Sequence, residues 1–86
     1  MAIEVRCIEH LSSEQRQSLN LLYGPLMGKN SICLYELLGS IQNLVELEDV
    51  YLLLNMNASQ FDIARNRLEQ YHLIETYVHE GDMLIL

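Results

Sequence analysis

Eighty-six residues make one small domain at most, and a chain of that length buries only roughly two-thirds of its unfolded surface. Half the residues are hydrophobic, Leu occurs seventeen times, and a single Pro and four Gly interrupt them, which excludes a disordered, collagen-like or Pro-rich chain. Five Lys and Arg against twelve Asp and Glu give a formal net charge of −7, a long-range field that repels nucleic acid.

Ile3, Val5 and Cys7 alternate with Glu4 and Arg6, the period of two that predicts a short half-buried strand. Ser12 or Ser13 is placed to cap a helix, with Glu14 in the positive first turn and Leu11 as a hydrophobic staple. Leu19, Leu22, Tyr23 and Leu26 then recur at helical spacing, which predicts one buried face. Gly24-Pro25 is expected to interrupt that helix, because Pro25 lacks a backbone donor and pushes the residue before it out of the helical region. A sharp turn is expected at Gly28.

Asn30 or Ser31 can cap the next helix, whose buried stripe reads Leu34, Leu37, Leu38 and Ile41, flanked by Ile32 and Tyr35. Leu44 to Leu47 reads as a brief strand, and Glu48 and Asp49 suit the first turn of a short helix ending near Leu54. Asn55-Met56-Asn57 is a turn, and Asn57 or Ser59 can cap a longer helix. That helix carries Phe61, Ala64, Leu68 and Tyr71 on one side and Arg65, Arg67 and Glu69 on the wetter one. After His72, the residues Ile74, Thr76 and Val78 alternate with Glu75, Tyr77 and His79; Glu80-Gly81-Asp82 is a polar turn and Met83 to Leu86 a second strand, which makes a hairpin. Short helix, tight turn, helix and hairpin define a winged helix-turn-helix. The expected fold is therefore mainly α with a small β-sheet, residues 1–11 forming an N-terminal strand extension and 12–86 the winged-helix domain.

Little in the chain points to chemistry. Residues 23–30 superficially resemble a phosphate-binding loop, but the spacing needs glycine where Tyr23 stands and a hydroxyl where Asn30 stands. Cys7 and His10 form one close pair of metal-type ligands, whereas a structural zinc site wants two, with Cys33, His72 and His79 scattered elsewhere. No enzyme, metal site or cofactor is expected. Two Cys and no Trp suggest a reducing cytosol rather than a disulfide framework. The longest apolar run, Val50 to Leu54, is far short of the roughly twenty residues of a membrane span, and Glu4 does not suit a signal peptide.

The second helix of such a fold often enters a DNA groove. Here that helix offers Arg65 and Arg67 against Asp62 and Glu69, and the wing turn is acidic, so these two arginines are the only candidate DNA contacts.

The run Leu22-Tyr23-Gly24-Pro25-Leu26-Met27-Gly28, followed by Leu34-Tyr35, resembles the N-terminal domain of the DnaB/DnaD primosomal replication-initiation family of low-GC Gram-positive bacteria and their phages, closest to the helicase-loading DnaB. The family hallmark is Leu-Tyr-x-Pro-Leu-Ile-Gly and then a Leu-Tyr pair, matched here apart from Met27 for Ile. Leu68-Glu69, Leu73-Ile74, Tyr77 and Glu80-Gly81-Asp82 resemble the family's helix-to-wing junction, so the similarity spans about residues 19 to 83. The resemblance implies a winged-helix module that self-associates and contacts other initiation proteins, DnaD-like or initiator, and through the full-length protein the replicative helicase. On this reading Leu22, Tyr23, Pro25, Leu26, Gly28, Leu34 and Tyr35 are fold determinants.

The function expected is thus a cytoplasmic protein-interaction and self-association module in primosome assembly; the alternative is a DNA-binding winged-helix transcriptional regulator. Ile3, Val5, Cys7, Met83 and Ile85 are the candidate self-association residues, as strands expected to present open edges. The last residues, Met83 to Leu86, form an apolar strand with no polar tail, which suggests the first domain of a longer protein.

Overall fold

A computed structural model describes residues 1–6, 8, 12–41 and 44–86. The chain runs β1 (Ala2–Val5), α1 (Ser13–Met27), α2 (Lys29–Ser40), β2 (Val45–Glu46), α3 (Leu47–Leu54), α4 (Ala58–Gln70), β3 (Thr76–His79) and β4 (Asp82–Ile85). This is a winged helix with an added N-terminal strand.

Ser12 opens α1 with a capping box, its hydroxyl accepting from the Gln15 N–H while the Gln15 side chain accepts from the Ser12 N–H. Contrary to the sequence expectation, α1 does not break at Gly24-Pro25 but runs through to Met27. A residue before proline is disfavoured in the helix through its Cβ, and Gly24 has none. The inward line of the helix is Leu19, Tyr23 and Met27, whereas Leu22 and Leu26, expected on the buried face, are 68% and 61% exposed. Three of the hallmark residues, Leu22, Pro25 and Leu26, are thus exposed.

The elbow falls at Gly28, whose φ of 83° is open to glycine at little cost. Gly28 also stands at the N-cap of α2, so neither Asn30 nor Ser31 caps it. Ser31 is buried instead, its hydroxyl donating to the Ala64 carbonyl at 3.3 Å where α2 packs on α4. Ile32, Leu34 and Leu38 are buried on α2, with Tyr35, Leu37 and Ile41 half-buried beside them.

The four strands form one sheet in the order β2-β1-β4-β3. β1 lies antiparallel to β2, with Ile3 opposite Val45, and parallel to β4, with Ile3 opposite Met83 and Val5 opposite Ile85. Its ends are also tied: the Leu47 N–H donates to the Met1 carbonyl and the Arg6 N–H to that of Ile85. Ile3, Met83 and Ile85 are buried in the core and Val5 is half-buried against it. The expectation that these residues present open edges is therefore corrected, since β1 and β4 occupy the interior of the sheet; Cys7 lies outside the described residues. The outer strands are β2 and β3. β4 begins at Asp82, one residue earlier than expected, because Glu80 and Gly81 alone make the turn, both at positive φ. Ile74 is buried and Thr76 half-buried, but Val78, on the outer strand, is exposed although Met83 opposite it on β4 is buried.

Candidate interaction surface on the helix-turn-helix

α3 and α4 are joined by a turn in which Asn55 takes the left-handed conformation, φ 53°, and Asn57 caps α4. The Asn57 carboxamide accepts from the Gln60 N–H at 2.8 Å, and the Gln60 side chain accepts from the Asn57 N–H at 2.9 Å. Phe61, Ala64 and Leu68 turn inward, and the Phe61 ring meets Tyr51 edge-on at 5.5 Å. The pair of helices is thereby fixed through its inner face, and the outer face is left to solvent.

That outer face is apolar and acidic. Leu52 and Leu53 of α3 and Ile63 of α4 are exposed, and Glu48, Asp49 and Asp62 stand exposed on the same two helices. A shallow groove beside them is lined by Glu48, Tyr51, Leu52, Met56 and Gln60. The Tyr51 hydroxyl registers this field: burial first, then the Asp62 and Glu48 carboxylates, raise its pKa above the usual phenolic value.

The two candidate DNA-contacting arginines are engaged within the fold. Arg65 is only 18% exposed at its side chain and donates through Nη1 to the Glu69 carboxylate one turn on, while its buried Nε has no partner among the described residues. Arg67 reaches across to α1, donating from Nη1 to the Met27 carbonyl at 2.9 Å. It places a cation at the negative end of α1, whose own last turn holds no basic residue. A Cβ at Gly28 would stand 3.2 Å from that nitrogen, so the elbow glycine also makes room for the guanidinium. Sequence reasoning had no access to this contact, because its partner is a main-chain carbonyl forty positions away.

The wing adds no positive charge to the helices. His79 Nε2 lies 3.7 Å from the Glu80 carboxylate, and Asp82 accepts from the Ala2 N–H at 3.2 Å. Arg6 is paired with Glu4 on β1, and Arg16 and Lys29 belong to α1 and α2. Among the described residues no cluster of three metal-type ligands forms, and no helix is long and apolar enough to cross a membrane; His10, like Cys7, lies outside those residues.

The chain matches the family model of the DnaB N-terminal winged helix domain over residues 5–86. It belongs to that family. No curated protein and no solved structure matches the chain. Membership of the DnaB winged-helix family agrees with the fold built above and with the hallmark run from Leu22 to Gly28, and it points to a replication-initiation protein. Within the hallmark, Leu34 is fully buried, Tyr35 is half-buried against the core, and Tyr23 packs edge-on against Tyr71 at 6.0 Å. Pro25 is exposed, like Leu22 and Leu26.

Proposed function

We propose that this DnaB-type domain is a non-enzymatic protein-interaction and self-association module of a cytoplasmic helicase-loading protein. It works in primosome assembly, contacts a DnaD-like or initiator protein, and acts on the replicative helicase through the full-length chain. The observation that carries the reading is the state of α4: Arg65 is largely buried against Glu69, the exposed Arg67 spends Nη1 on the Met27 carbonyl, and the helix-turn-helix face beside them is acidic and apolar. Such a face disfavours a phosphate backbone and suits a protein surface bearing cations beside apolar side chains.

Mobility shift and co-sedimentation test this together. At about 150 mM salt the domain should form no sub-micromolar duplex complex. In the full-length protein, L52S/L53S with D62K should weaken co-sedimentation with a DnaD-like partner about tenfold or more. A tight duplex complex whose salt slope falls by about two units in R65A/R67A would establish the regulator instead.

A further inference from the structure

β3 is an outer strand of the sheet, and its outward side has no partner among the described residues. The register identifies which groups are open. Glu75 and Leu86 exchange both main-chain hydrogen bonds, so the residues bonded to β4 continue in alternation at Tyr77 and His79. The N–H and C=O of Thr76 and Val78 therefore point away from β4. The strand carries none of the usual edge defences: residues 76–79 hold no Lys, no Pro and no bulge, and Tyr77 and Val78 are largely exposed.

Run antiparallel against itself, this edge is self-complementary. The register that pairs both outward residues sets Thr76 opposite the second copy's Val78, two β-branched side chains in a hydrogen-bonded position. It sets Tyr77 opposite Tyr77 on the two-fold axis, and Glu75 opposite His79 twice, an acid facing an imidazole with no like charges opposed. The Tyr77 hydroxyl already donates to Glu75 at 2.7 Å, which holds ring and carboxylate on the same face of the strand.

We infer that β3 pairs edge to edge with β3 of a second copy, joining two sheets about a two-fold axis through Tyr77. The inference rests on the self-association reading above and supplies its surface. The same strand run against an unrelated chain would keep the main-chain bonds but lose the Glu75–His79 match, and that match is why the occupant is a second copy.

Sedimentation and disulfide trapping test it. Val78→Pro removes an outward N–H that no intrachain bond uses, so it should leave the fold intact and weaken the dimer about tenfold or more. Tyr77→Cys, in a chain with Cys7→Ser and Cys33→Ser, should cross-link on mild oxidation. Residues facing each other in a non-hydrogen-bonded pair have Cα atoms about 4.5 Å apart, within disulfide reach. Ile63→Cys in the same background, on the exposed face of α4, should stay monomeric on a denaturing gel. A strict monomer at tens of micromolar overturns both the self-association reading and this one. A dimer indifferent to Val78→Pro, with no Tyr77→Cys cross-link, keeps the first and overturns the second.

Discussion

β1 and β3 are both four-residue strands, both alternate in sequence, and they do opposite things. β1 is paired on both sides and buries Ile3 completely; β3 is paired on one side and exposes Tyr77 and Val78. Nothing in AIEV against TYVH declares which is interior. The difference comes from neighbours: β1 is inserted between β2 and β4, so its inward residues meet the helices, while β3 is carried past the edge of the core by the hairpin. Alternation reports that a strand has two unlike faces, and says nothing about its two unlike edges.

Alanine substitution should separate the two strands most widely. Ile3→Ala should destabilise the domain by about 4 kcal/mol, the cost of a cavity where β1 meets β2 and β4, whereas Val78→Ala should stay within about 0.5 kcal/mol. Urea unfolding measures both at dimer-free concentrations, and equal losses would erase the distinction. Proline probes the edges rather than the faces. Glu4→Pro removes a donor from a strand bonded on both sides and should cost about 3 kcal/mol, while Val78→Pro should cost less than about 1 kcal/mol; comparable midpoint shifts would mean that β3 is covered within the chain. The smallest effect belongs to pH. Glu75 accepts the Tyr77 hydroxyl hydrogen bond, and that bond, with the negative charge beside it, raises the Tyr77 pKa above its ordinary 10.0. The unfolded chain then loses this proton first, so its contribution is complete below pH 10 and is lost as pH rises from there through the folded value. Tyr77→Phe should slightly flatten the alkaline fall in stability, and an unchanged slope would mean that the bond does not persist in solution.

What could be read from the sequence was local. The capping serine at 12, the Asn57 cap, the two-helix unit around Asn55 and the hairpin turn at Glu80-Gly81 each depend on residues within about four positions of one another. The failures share a different property. Pro25 reads as a break in α1, but the helix runs through it, within its own last turn and after a residue that has no Cβ. Leu22 and Leu26 share the helical spacing of Leu19 and Tyr23 but lie on the surface, because α2 and α4 cover only the line through Leu19, Tyr23 and Met27. Ser31, a candidate cap from its position, instead bonds Ala64, and Arg67, a candidate DNA contact, also holds the end of α1; each partner is more than thirty residues away. Of the candidate site, the acidic character of the wing and of the short helix was legible from composition. The Arg65–Glu69 pair has a spacing of four that the sequence shows, whereas the engagement of Arg67 was not legible, since a main-chain carbonyl leaves no mark in a sequence.

The parallel pairing of β1 with β4 also sets an order of events. Ile3 and Met83 are partners eighty positions apart, and this contact closes the longest loop in the chain. During synthesis at roughly 5–20 residues per second, β1 leaves the ribosome several seconds before its β4 neighbour exists. The helices and the hairpin, built from nearer contacts, can form without it. For that interval the strand of Ala2, Ile3 and Val5 has only the two residues of β2 to pair with, and its other edge stays open until β4 is made. Refolding of this domain should accordingly finish with a distinct step in which Ile3 enters the core, slower than helix formation and sensitive to substitution in β1.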